Sequence, residues 1–335
     1  MSSKKNIIAV LGAGNMGTAV AQVLAGNGHE VRIWNWEGDD MPLRHIEKYC
    51  ENKKYLPGVK LSKNIIPKFK IEEALDMADM VFFVVPSGAM EYTISFAARS
   101  IKNNAILVDI SKGIEPQSLR LIPHIITKHV RPKLKKNVVT VSGPAVAGQM
   151  VSGQFTAMNV ASKNKKAVKK VIDVFSNKYI RLVPTTDVIG VEVGGSFKNV
   201  YAIAVGMCDG MGYGLNTKAA ILTKSLEEIA DLIGAMGGRK HTAYELAGLG
   251  DLIGTSLCQD SRNRTLGEYM GKGLTSKQAL KKIKQTTEGV DATRCLLRLA
   301  KKHKVAVPFA KMIGRCIETS GNPKNIFHNY LLKGF

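Results

Sequence analysis

A glycine-rich turn, GAGNMG at residues 12–17, restricts the folds open to this chain more than any other segment. The apolar run Ile7–Leu11 precedes the turn and is typical of a buried strand, and residues 15–25 carry apolar side chains at helical spacing. A second strand is predicted at Glu30–Trp34, shortly after Gly28. The order of strand, tight turn, helix and strand is that of a βαβ unit.

The three glycines of this turn have the spacing of a dinucleotide-binding fingerprint. Gly12 permits the sharp turn, Gly14 lets the backbone approach a pyrophosphate, and Gly17 lets the helix pack close to the strand. Free N–H groups at the helix N-terminus would then bind the phosphates. The alternative, an ordinary glycine turn, is disfavoured because the second strand follows at the spacing that a βαβ unit requires.

The loop after the second strand bears on the choice between NAD and NADP. A carboxylate there would bind the ribose 2′-hydroxyl of NAD, whereas an arginine would bind the 2′-phosphate of NADP. The chain has Asn35 and Trp36 at this point, followed by Glu37, Asp39 and Asp40. Because the loop holds three acids and no base, we expect NAD or NADP, with a slight preference for NAD.

The rest of the chain predicts two domains. With 335 residues, 45% of them hydrophobic, the protein can bury two cores. Further strands are predicted at Met80–Val85, Ala105–Ile110, Asn137–Val141, Thr156–Ala161 and Ile180–Pro184. After Asp187 the pattern becomes helical. We therefore predict an α/β fold: an N-terminal Rossmann-like, doubly wound sheet that binds the dinucleotide over residues 1–187, then an all-helical substrate-binding domain over residues 188–335.

The formal net charge of +21 requires an explanation. Fourteen Lys or Arg residues after position 269 face only three acids, but Lys277, Lys281 and Lys284 recur at helical spacing with apolar residues between them. This pattern favours a solvated helix face over a nucleic-acid surface, and aromatic residues are only 6% of the chain. We expect a positive field that attracts anionic metabolites and no specific nucleic acid. A nucleic-acid-binding protein that retains a Rossmann domain is the alternative.

Cysteine and histidine usage indicates neither disulfides nor a metal site. The five cysteines show no CxxC spacing and the seven histidines are dispersed. The apolar stretch near the start runs directly into the glycine turn, and no apolar run approaches the roughly 18 residues of a membrane span. We expect a cytoplasmic protein without a transmembrane segment.

Several sequence blocks in a fixed order indicate a family. They are GAGNMGTAVA (12–21), VVPS (84–87), SKG (111–113), SGPAVA (142–147), GGSFKNV (194–200), AGLGDL (247–252), SRNR (261–264) and EG (288–289). Through them the chain resembles NAD(P)-dependent glycerol-3-phosphate dehydrogenases over essentially its whole length. The resemblance implies interconversion of dihydroxyacetone phosphate and sn-glycerol 3-phosphate by hydride transfer, supplying glycerol phosphate for phospholipid synthesis. A homodimer is one possible assembly.

The resemblance also implies site residues. Lys198 matches the catalytic lysine, and Arg262 with Asn263 matches the residues that hold the substrate phosphate. The implied substrate contacts are Lys112, Gly143, Asn199, Asp251, Thr255, Ser261, Arg262 and Asn263. The implied cofactor contacts are Gly12, Gly14, Asn15, Met16, Gly17, Trp36, Lys112, Ala147, Arg262 and Glu288. No metal ligand is implied.

The residue types suit this chemistry, although spacing alone leaves alternatives. Hydride transfer to a ketone leaves negative charge on oxygen, so the site needs a positively charged proton donor such as Lys198. Lys198 could instead be a surface residue whose apolar stem is buried, Arg262 a solvated residue at a helix start, and Asp251 a helix N-cap. A related dehydrogenase acting on a 3-hydroxy acid or a keto acid is also open.

Overall fold

The computed structural model describes residues 5–283 and 287–334. The chain separates into two compact units. The first comprises the chain up to Glu115 together with Arg120–Val188, and the second comprises Pro116–Leu119 together with the chain from Ile189 onwards. The four-residue segment Pro116–Leu119 is therefore separated in sequence from the rest of the second unit.

One eight-stranded sheet organises the described part of the first unit. Its strands are β1 (Ile7–Leu11), β2 (Glu30–Trp34), β3 (Ile65–Lys68), β4 (Met80–Phe83), β5 (Ile106–Asp109), β6 (Val138–Ser142), β7 (Thr156–Ala161) and β8 (Ile180–Thr185). The spatial order is β3-β2-β1-β4-β5-β6-β7-β8, and all neighbours are parallel except β6 and β7. The predicted doubly wound, Rossmann-like sheet is confirmed. The edge strand β3 was not predicted, because Pro67 interrupts its pattern.

Helices cover both faces of this sheet, which explains the continuous apolar runs. They are α1 (Asn15–Gly26), α2 (Met41–Tyr49), α3 (Ile71–Leu75), α4 (Met90–Ala97), α5 (Ile122–His129), α6 (Pro132–Lys135), α7 (Ala147–Val151) and α8 (Lys165–Phe175). In β4 every residue is buried, with Phe82 packed in one core cluster and Phe83 in another. A strand buried on both faces has no polar side to alternate with.

The regular secondary structure in the described part of the second unit is all helical, as predicted. Its helices are α9 (Val188–Gly210), α10 (Leu215–Ala235), α11 (Asp251–Ser256), α12 (Arg262–Gly271), α13 (Ser276–Ile283), α14 (Gly289–His303), α15 (Pro308–Glu318) and α16 (Pro323–Lys333). Helix α9 is long and apolar enough to cross a membrane, but 83% of its apolar window is buried inside the protein, as for the core helix of a folded domain. Lys277, Lys281 and Lys282 are exposed on α13, whereas Lys284 lies outside the described residues.

Glycines bring α9 and α12 into backbone contact. A Cβ added to Gly206 on α9 would collide with the carbonyl oxygen of Arg264, and one added to Gly267 on α12 would collide with that of Ile203. Gly210 and Gly271, one turn further along each helix, make the same kind of close approach. The two helices therefore pack backbone against backbone, which only glycine allows.

We predict that Gly267→Ala destabilises the protein. Alanine is the better helix former by about 1 kcal/mol, but its methyl group has no space here, and overpacking costs about 1–3 kcal/mol. Gly26→Ala is the matched control, because nothing lies within 4 Å of a Cβ at that helical glycine. Thermal unfolding should show a lower Tm for Gly267→Ala and an unchanged or higher Tm for Gly26→Ala. An unchanged Tm for Gly267→Ala would contradict the close packing.

A buried carboxylate, Glu228 on α10, joins three helices of the second unit. It accepts hydrogen bonds from the backbone N–H of Phe309 at 2.6 Å, from that of Ala310 at 3.0 Å and from the Tyr201 hydroxyl at 3.1 Å. Glu228 thereby satisfies free N–H groups in the first turn of α15. Burial nevertheless raises the pKa of Glu228 above its ordinary value of 4.5.

This raised pKa predicts a pH dependence that Glu228→Gln removes. The folded state binds the Glu228 proton more tightly than the unfolded chain does, so the carboxyl's contribution to stability is fully present below pH 4.5 and is lost as pH rises through the raised folded pKa. Urea unfolding should show wild type losing stability relative to Glu228→Gln as pH rises above 4.5. The exposed neighbour Glu227, paired with Lys224, gives the control Glu227→Gln. A pH-independent difference between wild type and Glu228→Gln would refute the assignment.

Candidate active site

The glycine turn has the geometry of a phosphate-binding site. Gly12 has φ +114°, where a side chain would be strained, and Gly17 packs so closely that a Cβ would collide with the Gly12 carbonyl oxygen. By contrast, nothing lies within 4 Å of a Cβ at Gly14. No side chain caps the N-terminus of α1, where Asn15 is exposed and Met16 half-buried. The open backbone at Gly14 and the uncapped N–H groups can therefore receive phosphate oxygens.

The loop after β2 holds Trp36, which is 57% exposed. Two of its three acids are neutralised by bases from outside the loop: Asp40 pairs with Arg44 at 2.7 Å, and Asp39 pairs with Lys54 at 2.7 Å. The slight preference for NAD was based on the number of acids in the loop after β2. Because two of these acids pair with bases, that number does not give the net charge around the loop.

The remaining sites predicted in the first unit lie at the carboxyl ends of β5 and β6. Lys112 follows β5, and its Nζ donates to the carbonyl oxygen of Gly143, which follows β6, at 2.8 Å. A Cβ at Gly143 would lie 2.8 Å from the Cα of Met158, so the backbone there is tightly packed. Ala147 is the buried first residue of α7 and packs with Ala19 of α1. These predicted contacts thus share one edge of the sheet.

Lys198 and Asp251 form a buried ion pair in the second unit. The Nζ of Lys198 donates to Asp251 Oδ1 at 2.5 Å, and the two residues are 9% and 1% exposed. The Thr255 hydroxyl donates to the same oxygen at 3.4 Å. Lys198 is therefore not a surface residue. The carboxylate of Asp251 binds the lysine, and the N-cap position of α11 is Gly250.

Glycine also explains how Asp251 reaches Lys198. Asp251 follows a π-helical turn, Leu246–Gly250, and this turn packs against α9. A Cβ at Gly194 on α9 would lie 3.1 Å from the carbonyl oxygen of Ala247, closer than nearly all real contacts. The missing side chain lets the turn approach α9 about one helical turn before Lys198.

A second polar group joins α9, α12 and α14. The Asn199 amide donates to Glu288 Oε2 at 3.2 Å, and the backbone N–H of Gly289 donates to Asn263 Oδ1 at 2.8 Å. A Cβ at Gly289 would collide with Asn263 and approach the Asn199 carbonyl to 2.9 Å. Asn199, Asn263 and Glu288 are thereby brought together, and Gly289 is the residue whose packing role the sequence had not indicated.

Arg262 lies beside this group at the start of α12. Ser261 is the N-cap, and its hydroxyl accepts from the Arg264 N–H at 3.3 Å. Arg262 is exposed and makes no hydrogen bond or ion pair with the residues that the structure describes. The SRNR block thus begins α12, and the Arg262 guanidinium remains available to bind an anionic ligand.

Two further observations concern metal binding and the distribution of the predicted residues between the two units. Over residues 5–283 and 287–334, no group of three or more His, Cys, Asp or Glu residues could hold a metal ion. The predicted residues fall into two sets. The first unit holds the glycine turn, Lys112 and Gly143, and the second holds the Lys198 and Asn199 groups.

Comparisons with known proteins identify the family. The model of the NAD-dependent glycerol-3-phosphate dehydrogenase N-terminus matches residues 7–168, and that of the C-terminus matches residues 187–328. Proteins described as glycerol-3-phosphate dehydrogenase (NAD(P)+) are 39% identical in Bacillus velezensis and 38% in Bacillus subtilis, each over 93% of this chain and 92% of the relative. The crystal structure of glycerol-3-phosphate dehydrogenase from Coxiella burnetii is 32% identical, with a TM-score of 0.91 over 98% of this chain and 99% of that one. The chain therefore belongs to the NAD-dependent glycerol-3-phosphate dehydrogenase family.

Proposed function

We propose that the protein interconverts dihydroxyacetone phosphate and sn-glycerol 3-phosphate, with Lys198 as general acid and base. The observation that carries the proposal is the buried Lys198–Asp251 pair. Burying an ion pair costs on the order of several kcal/mol per ion, and apolar residues of similar volume stabilise a core at least as well. An ion pair retained at a buried position of α9 is therefore better explained by chemistry than by stability.

The geometry suits proton transfer at the substrate C2 oxygen. Lys198 has three N–H donors, and Asp251 accepts one of them. Bound NAD(P)H would supply a hydride to C2 of the ketone, so that negative charge would develop on the C2 oxygen. Lys198 would donate a proton to that oxygen in reduction and accept it in oxidation. Asp251 would hold the Lys198 side chain in place in both its ammonium and its amine form.

Arg262 and Asn263 are proposed to bind the substrate phosphate. The Asn263 carbonyl is engaged by Gly289, while its amide makes no hydrogen bond with the residues that the structure describes, so its N–H groups can donate to a ligand. The exposed guanidinium of Arg262 and the positive end of the α12 dipole add favourable charge for a dianion. Thr255 and Ser261 are further proposed substrate contacts.

The remaining assignments follow the family resemblance. Lys112 and Gly143 are proposed to contact the ligand from the carboxyl edge of the sheet, and Glu288 is proposed to touch the nicotinamide end of the cofactor. Reduction yields a phosphorylated glycerol backbone of the kind that acylation converts into phospholipid. We propose that the product is used in this way and that the protein acts in the cytoplasm.

Turnover assays test the reaction directly. Purified protein should oxidise NADH or NADPH with dihydroxyacetone phosphate and should act poorly on 2-keto acids and on unphosphorylated dihydroxyacetone. Greater kcat/KM for a keto acid would instead support the related dehydrogenase, and absence of turnover on all of these substrates would overturn the proposal.

We predict that Lys198→Ala lowers kcat by at least ~10²-fold with cofactor binding largely intact, because a general acid contributes on that scale. Asp251→Asn should also lower kcat, because the ammonium loses the charge that holds it. Lys240→Ala is the matched control, since Lys240 also pairs with an aspartate, Asp231, but on the surface. Near wild-type kcat in Lys198→Ala would end the proposed role.

Arg262→Ala should act through the substrate phosphate. We expect kcat/KM for dihydroxyacetone phosphate to fall, mainly because KM rises. The loss should correspond to about 2 kcal/mol of transition-state binding, the scale of a hydrogen bond to a charged group. The much weaker turnover of unphosphorylated dihydroxyacetone should hardly change. Arg294→Ala, which removes an exposed arginine of α14 paired with Asp291, is the control. Equal losses with and without the phosphate would point to structural damage.

A further inference from the structure

A charged cluster beside the glycine turn has no part in the proposed proton transfer. Lys54 Nζ lies 2.7 Å from Asp39 Oδ1, and the Tyr55 hydroxyl donates to Asp39 Oδ2 at 2.7 Å. The side chain of Asp39 is 11% exposed, whereas that of Lys54 is 43% exposed. The cluster therefore presents an ammonium group to solvent, with the carboxylate beneath it.

Hydrogen bonds place this cluster beside the end of β2. Asn35 directly follows β2; its Oδ1 accepts from the N–H of Ala13 in the glycine turn at 3.0 Å, and its Nδ2 donates to the carbonyl oxygen of Asp39 at 2.7 Å. In a Rossmann-type sheet the adenosine ribose of the dinucleotide is bound at the end of this strand. The Lys54 ammonium thus lies near the expected position of the ribose 2′ group.

The segment that carries Lys54 is fixed on both sides. Before it, the Asn52 amide donates to the Ala13 carbonyl at 2.9 Å and to the Thr18 hydroxyl at 2.8 Å. After it, Leu56 is buried against Ala19 of α1. The position of the Lys54 backbone is therefore set by the same turn and helix that would hold the pyrophosphate.

Asp39 is suited to position the lysine. Burial alone would raise the pKa of Asp39, but hydrogen bonds from Lys54 and Tyr55 outweigh burial and lower it, so the carboxylate stays ionised. Both of its oxygens already accept hydrogen bonds. The Lys54 ammonium has three N–H donors and gives one to Asp39, which leaves donors for an anion.

We propose that Lys54 binds the adenosine 2′-phosphate of NADP(H), and that Asp39 and Tyr55 position its ammonium. A lysine ammonium binds phosphate as a compact point charge, so it can substitute for the arginine that the loop after β2 lacks. The inference rests on the proposed use of NAD(P)H by this protein. It assigns the recognition of NADP to a residue outside that loop.

Calorimetric binding of nucleotide fragments tests the proposal without turnover. The probes are 2′,5′-ADP, which carries the 2′-phosphate, and 5′-AMP, which lacks it. Wild type should bind 2′,5′-ADP more tightly, and Lys54→Gln should weaken that binding by at least about ten-fold, the scale of one hydrogen bond to a charged group. Binding of 5′-AMP should change by less than about two-fold, and Lys54→Arg should retain the preference.

Lys53→Gln is the matched control, because Lys53 is the adjacent residue with the same charge and its Nζ lies 3.7 Å from the centre of the Tyr49 ring. It should leave the preference for 2′,5′-ADP in place. The proposal is overturned if wild type shows no such preference, if Lys54→Gln affects both probes equally or neither, or if Lys53→Gln has the same effect. Failure of the proposed reaction would appear separately, as absence of turnover with dihydroxyacetone phosphate in a protein that still discriminates between the fragments.

Discussion

The backbone contact between α9 and α12 is the constraint on which the helical unit depends. Helix α9 carries Lys198 and Asn199, and α12 begins with Arg262 and Asn263. Because paired glycines let the two helices touch along their backbones, the groups proposed for proton transfer and for phosphate binding are held on two rigid elements at a fixed spacing. Larger residues at this crossing would separate the two halves of the proposed substrate site.

The buried polar side chains of the proposed substrate site each have a partner. Lys198 has Asp251, Asn199 has Glu288, and the Asn263 carbonyl has the Gly289 N–H. Each pair joins different helices, so the hydrogen bonds that satisfy buried polar atoms also orient the side chains relative to one another. Positioning and stability are therefore achieved by the same contacts.

The sequence predicted features whose causes are local, and it failed where distant partners decide. The glycine turn, the fully buried β4 and the helical period after Asp187 are each readable in a short window, and all were predicted correctly. For Asp251 an N-cap role stayed open, because its pairing with Lys198 depends on packing at Gly194. The charge around the loop after β2 was likewise not readable from the loop alone, since Lys54, which pairs with Asp39, lies on a later segment.

The short segment Pro116–Leu119 has a consequence for how the two units can be separated. It belongs to the helical unit, where Arg298 of α14 donates to the carbonyl oxygens of Pro116 at 2.6 Å and Gln117 at 3.2 Å. The chain consequently passes between the units three times. A cut at a single point near residue 188 would separate the helices from this segment and leave the Arg298 guanidinium without those acceptors. The helical unit therefore cannot be excised whole as one continuous piece of the chain.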